Sequence, residues 1–164
     1  MDKGHAALEE GSPVLGLAQK DNLPCCTFVA CWLLQVSGRV PEAPDNWKSW
    51  YRLDPKWWER ANVWDPHDLW SALPAAQDLI GGVLAKMKRV GPGQSAPPLT
   101  LGKWHVIQRW RGKSGHTYLA YAGDTIQIVQ SSESKGYRNT DGGSWVGTAG
   151  LDGYDVGVLT LDLE

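Results

Sequence analysis

Residues 24–37 limit the fold more than any other stretch of this chain. Cys25, Phe28, Val29, Trp32, Leu33 and Val36 recur at the spacing of one helix face, while Ala30, Cys31 and Leu34 make the other side apolar as well. A helix apolar all round has no side to offer water, so the rest of the chain must be wrapped about it. Pro24 suits the first helical position, where its missing N–H costs no hydrogen bond, and Gly38 suits the stop. The 164 residues are enough for one domain with a core that covers such a helix.

Two further helix starts are marked by Asp54-Pro55 and Asp65-Pro66, each a capping acid followed by proline. The second pattern breaks at Pro74, resumes through Ala75 to Ile80 and ends at Gly81-Gly82. Residues 1–20, with Gly4, Gly11, Pro13 and Gly16, read as an irregular N-terminal arm, and 21–164 as a single domain. Gly91, Pro92, Gly93, Pro97 and Pro98 mark a loop between two halves. Beyond it the period changes to two. Trp104, Val106, Gln108 and Trp110 alternate with His105, Ile107 and Arg109; Thr117–Ala122 and Thr125–Ser131 then flank a turn at Gly123-Asp124, as in an antiparallel hairpin. A glycine-rich stretch over 141–153 precedes a last strand at Val156–Leu161. Helices first and a strand meander second indicate an α+β fold, with the buried helix packed on a small antiparallel sheet.

Charge excludes two classes of partner. Sixteen basic and eighteen acidic residues give a net charge of −2, with no footprint for nucleic acid or an anionic membrane. No stretch approaches the ~18 apolar residues of a membrane span. Cys25, Cys26 and Cys31 are odd in number and crowded together, so they form no disulfide framework, and no C-x-x-C pair with distant histidines suggests zinc. No phosphate-binding or dinucleotide fingerprint is present, and Ser12, Ser71 and Ser144 lack a nucleophile-elbow setting, so no metal or cofactor is expected. The opening residues carry no basic stretch followed by an apolar run. Synthesis in a reducing cytoplasm is expected, with delivery by another route if the protein acts at a cell wall.

Three residues carry a candidate chemistry. Cys25 stands in the first turn of the apolar helix, where free N–H groups and the helix dipole stabilise a thiolate. Buried cysteine is also a common small hydrophobe, which is the better account of Cys31. Ser114-Gly115-His116 opens a strand, so His116 can present its ring at the sheet's edge. On the return strand Gln130 falls roughly opposite residue 116 or 117, in reach of that ring and able to fix its orientation. Ten tryptophans, six of them between 47 and 70, fill a core between short helices, with indole faces left over for a groove.

The run Asn22-Leu23-Pro24-Cys25-Cys26-Thr27-Phe28-Val29 resembles the C-x-x-[FL]-V helix start of the NlpC/P60 and CHAP cysteine hydrolases and of type VI secretion amidase effectors. Leu99–Ile107 is similar to their "L-x-x-G-D-hydrophobic" strand entry, with Lys103 in the place of Asp. Ser114–Leu119 is similar to their G-H-V-x-I-V strand, and Val129–Ser132 falls where they carry a polar third residue. The order cysteine, histidine, polar residue covers roughly 20–135. Departures are Cys26 and Thr27 where small residues are usual, and Gln130 where His or Asn is common.

The resemblance implies a papain-like fold and a cysteine peptidase or amidase. Cys25 would be the nucleophile, chosen over Cys26 because Phe28 and Val29 then stand at +3 and +4; His116 would be its base and Gln130 the orienting residue. Backbone N–H groups at the helix start, of Cys25 or Cys26, would form part of the oxyanion hole, and Gln19 lies at the spacing at which papain places an oxyanion glutamine. A peptidoglycan stem peptide is the implied substrate, with an immunity or inhibitor protein as a further partner. Two rival readings use the same residues: a papain-like protease or acyltransferase acting on a cytosolic protein, and an inactive binding or structural module of the same fold.

Overall fold

A computed structural model describes residues 1–41, 47–50, 66–91, 94, 96–112, 114–142 and 153–163. Five helices lie among them: α1 (Lys3–Ala6), α2 (Pro13–Lys20), α3 (Cys25–Val36), α4 (Trp47–Trp50) and α5 (Pro66–Ile80). Ten of the twelve residues of α3 are buried, as its all-round apolar pattern requires. Pro24 stands at its N-cap, one position earlier than the sequence suggested. Gly38 ends the helix with φ 84°; its N–H donates to the Gln35 carbonyl and that of Arg39 to the Leu34 carbonyl. This left-handed closure is one glycine adopts without a Cβ clash.

The first twenty residues are not an irregular arm. The Asp2 side chain caps α1, accepting from the His5 N–H at 2.8 Å. Ser12 caps α2 with Pro13 at its start, and Val14, Leu15, Leu17 and Ala18 of α2 are buried. Two of the glycines that suggested irregularity serve packing and turning. A Cβ on Gly4 would fall 2.3 Å from Nε1 of Trp104, so this position admits only hydrogen. Gly11, at φ 89°, makes the turn between the two helices. The helix of the cysteine is therefore third in chain order.

Pro74 does not break α5, which runs unbroken from Pro66 to Ile80. Proline there removes one intrahelical bond, but Leu73, Ala75 and Ala76 are buried around it, and that burial holds the helix together. It ends where expected, at Gly81, whose N–H donates to the Gln77 carbonyl. The start expected at Asp54-Pro55 lies outside the described residues, as do Asp65, most of the glycine-rich stretch, and the side chains of Trp47, Trp57, Trp58, Trp64 and Trp70. Trp32, Trp50 and Trp104 are fully buried.

The strands form one antiparallel six-stranded sheet in the order β1 (Val83–Met87), β6 (Asp155–Thr160), β2 (Trp104–Arg111), β3 (Ser114–Ala122), β4 (Ile126–Gln130), β5 (Arg138–Asp141). The molecule is thus α+β. Neither edge strand was expected from the sequence. One face of the sheet carries Trp104, Val106, Leu119, Val129 and Leu159 into the core built around α3. The opposite face carries Ile107, Tyr118, Ala120, Ile128, Val156 and Val158, covered by Val90, Ala96, Leu99 and Tyr154. Residues Trp104–Gln108 are consequently buried on both faces, although alternation alone suggests one wet side.

Candidate active site

The site forms where β4 parts from β3. The paired residues of this hairpin run from Ala122↔Ile126 to Leu119↔Val129, so the turn has three residues, Gly123-Asp124-Thr125, rather than two. The extra residue decides which face Gln130 takes. Continuing the register by one step sets Gln130 beside Tyr118, hence on the same face as His116, whereas a two-residue turn would set it opposite Thr117 and on the other face. His116 Nε2 lies 2.8 Å from Gln130 Oε1. Since that oxygen only accepts, Nε2 carries the proton, and Nδ1 is left for another partner. The His116 ring also stacks on Tyr118, with centroids 5.4 Å apart and planes at 23°.

Cys25 comes to the same place from the helix side. It is the first residue of α3, half-buried, while Cys26 and Cys31 are fully buried; none of the three is in a disulfide. Hydrogen bonds hold the Cys25 thiol well below the ordinary thiol range: first from the Cys26 S–H, then from the His116 ring, whose positive charge adds to the effect, and from the Thr117 N–H. Partial burial opposes this and is outweighed. Cys26 moves the opposite way, its thiol pushed up by the bond it makes to Cys25, by burial and by the charge of its neighbour. It therefore stays protonated and serves as the donor. Burial alone pushes Cys31 up.

Cys25, His116 and Gln130 thus meet at one place. The cleft there has a volume of about 310 Å³ and is lined by Pro24, Cys25, Cys26, Gly115, His116 and residues 132–134 (Ser132, Glu133, Ser134). Gln19 is exposed on α2 and has no place in that lining. The segment after β4 is tied to the start of α3 twice: buried Ser131 Oγ donates to the Leu23 carbonyl at 2.9 Å, and Asn22 Nδ2 donates to the Glu133 carbonyl at 3.2 Å. Lys103, standing where the resemblance calls for Asp, pairs with Asp162 at 3.1 Å on the surface.

Sequence reasoning overlooked the donor role of Cys26 and the tie from Ser131. Adjacency to Cys25 and to Gln130 was the only signal for either. Among the described residues no group of three or more His, Cys, Asp or Glu is arranged to hold a metal ion, and no helix is long and apolar enough to cross a membrane. No protein-family model, curated protein or solved structure matches the chain.

Proposed function

We propose that the chain is a papain-like cysteine hydrolase that cleaves an amide bond, with Cys25 as nucleophile, His116 as base and Gln130 as the residue that orients the ring. One observation carries this reading: Cys25 at the start of a buried helix lines the same cleft as His116, whose Nε2 is fixed by Gln130 at 2.8 Å, and the ring helps to hold the thiol low. A thiol bonded to an imidazole whose tautomer is set by a third group is the arrangement that activates a sulfur nucleophile.

In the proposed reaction Nδ1 of His116 takes the Cys25 proton and the thiolate attacks the carbonyl carbon. The developing oxyanion is met by the Cys25 N–H, which at the first helical position has no intrahelical acceptor. His116 then hands its proton to the leaving amine as the thioester forms. Water, deprotonated by the same ring, releases the acid. Serines, a glycine and one carboxylate line the cleft beside the reacting groups, which suits a polar peptide better than an acyl chain. The resemblance of the cysteine helix and histidine strand to NlpC/P60 and CHAP hydrolases makes a peptidoglycan stem peptide the substrate of choice.

The test is incubation of the purified protein with peptidoglycan fragments and, in parallel, with a library of protein-derived peptides. The expected result is a new amine terminus on the cell-wall fragments and an acyl adduct on Cys25 when turnover is quenched early. Release confined to the peptide library would move the substrate to proteins. No adduct and no product on either would remove the enzyme reading.

A further inference from the structure

We propose that Ser131 is a positioning residue: its hydroxyl, bonded to the Leu23 carbonyl, fixes the start of the cysteine helix against the His116–Gln130 pair. The inference deepens the hydrolase reading and rests on it for activity, though not for the chemistry of the thiol.

Residues 130–133 do two things at once. Gln130 reaches forward to His116 at 2.8 Å. Ser131, the next residue, is fully buried and points to the opposite face, where its Oγ donates to Leu23 at 2.9 Å across 108 positions of sequence. Leu23 is itself 1 % exposed and stands two residues before Cys25. One short segment therefore sets the base from one face of the sheet and the nucleophile from the other. A buried hydroxyl holding a carbonyl in place resists displacement more than an exposed one, because neither group finds water if the bond opens.

The turn that follows adds stiffness. The Gly136 N–H donates to the Ser132 carbonyl at 2.8 Å, and the Lys135 N–H to Ser132 Oγ at 3.1 Å. A Cβ on Gly136 would come 2.7 Å from Asn22 Oδ1, so the Asn22 amide lies close against this turn while its Nδ2 donates to the Glu133 carbonyl. This second tie is exposed and longer, so Ser131 carries more of the load. The bonds Cys25 receives from His116 and from the Thr117 N–H exist only if the first residue of α3 sits close to β3. Slackening the Leu23 anchor lengthens both, and errors near 1 Å in such a constellation lower turnover by roughly a hundredfold.

The experiment measures iodoacetamide labelling of Cys25 against pH, read by mass spectrometry of its peptide, beside kcat and KM. The proteins are the parent, Ser131→Ala, Asn22→Ala and, as control, Ser37→Ala. Ser37 Oγ donates to the Leu34 carbonyl at 2.8 Å at the far end of the same helix, so its loss matches the bond but not the place. Ser131→Ala is expected to move the labelling midpoint of Cys25 upward toward the free-thiol value of ~8.5 and to lower kcat at least tenfold with KM nearly unchanged. Asn22→Ala moves both in the same direction by less, and decides the matter if Ser131→Ala does not fold. Ser37→Ala leaves the midpoint in place. A parental midpoint in both Ser131→Ala and Asn22→Ala, or an equal shift in Ser37→Ala, overturns the proposal. If no substrate is turned over by any of the proteins, the hydrolase reading fails while the labelling midpoints still decide the role of Ser131.

Discussion

Gln130 Oε1 lies 2.8 Å from Nε2 of His116, and the two residues stand on one face of the sheet because the β3–β4 turn holds three residues and not two. A neutral amide in this position fixes a tautomer but brings no charge to an imidazolium. The bond is worth roughly 0.5–1.5 kcal/mol net, or about a tenfold change in rate. Gln130→Ala is accordingly expected to lose about tenfold in kcat/KM, while His116→Ala loses several orders of magnitude. Steady-state rates on one substrate compare the two. Full activity in Gln130→Ala would place the orienting group elsewhere.

Cys25 and Cys26 have opposite roles and give opposite variants. Cys25→Ala removes the sulfur that bonds to His116 and is expected to abolish turnover with the fold intact. Cys26→Ala removes the donor that contributes most to the low pKa of Cys25. It keeps the proposed nucleophile, so activity is expected to persist, but the acid limb of the kcat/KM profile shifts to higher pH. The sign follows from stabilisation of the thiolate: without the Cys26 S–H a higher pH is needed to ionise Cys25. Profiles of both variants between pH 4 and 9 check this. An inactive Cys26→Ala beside an active Cys25→Ala reverses the assignment.

What the sequence made legible follows from how local each signal is. The all-apolar run, Pro24 and Gly38 define α3 without reference to anything else. The hairpin is equally local, although its register rested on Thr125, which looked like the first residue of a strand and is the last of the turn. The edge strands were hidden for a tertiary reason. Arg138–Asp141 (Arg-Asn-Thr-Asp) has little strand preference and pairs because β4 offers it a free edge, while Val83–Met87 is helix-compatible and becomes a strand by pairing with β6. The N-terminal glycines looked like breakers because sequence spacing does not reveal the Trp104 ring that Gly4 faces. That Cys25, His116 and Gln130 come together was legible from their order, and the groups that hold them in place were not.

His105 predicts how stability changes with pH. It is fully buried, with Nδ1 against the Ala120 carbonyl at 3.1 Å and Nε2 accepting the Thr100 N–H at 2.9 Å. The neutral ring satisfies both, and burial, the largest influence, lowers its pKa. An unfolded chain takes up this proton near pH ~6.5 and the native protein only at lower pH. The stabilisation is thus complete above ~6.5 and is lost as pH falls through the folded value. Urea unfolding at pH 7.5 and 5.0 should show a lower midpoint at the acid value, and His105→Gln, whose amide keeps one donor and one acceptor, should reduce that difference. An unchanged difference in the variant would assign the acid loss to other groups.

Gly4→Ala tests whether the first helix belongs to the core or merely lies on it. The new Cβ would stand 2.3 to 2.7 Å from three atoms of the Trp104 indole, far inside contact distance, and the ring has little room to move. Trp104 is buried, lies 5.3 Å from Trp32 between ring centroids, and donates through Nε1 to Asp2 Oδ1 at 2.9 Å. Trp32 in turn donates to the Gly4 carbonyl at 3.3 Å, and His5 packs on Trp104 and Tyr121 with centroid distances of 4.8 and 4.5 Å. Relief of the clash therefore requires α1 to lift, which breaks the Asp2 and Gly4 bonds together. Overpacking of this kind costs about 1–3 kcal/mol, and the broken bonds add to it. For a domain of this size the expected drop in Tm is several degrees, with a red shift of tryptophan fluorescence as Trp104 gains solvent. Cys25 stands at the start of α3, seven residues before the Trp32 that this packing touches, so the labelling midpoint of Cys25 should not move. A variant with parental Tm would show that the first helix adds nothing to the core.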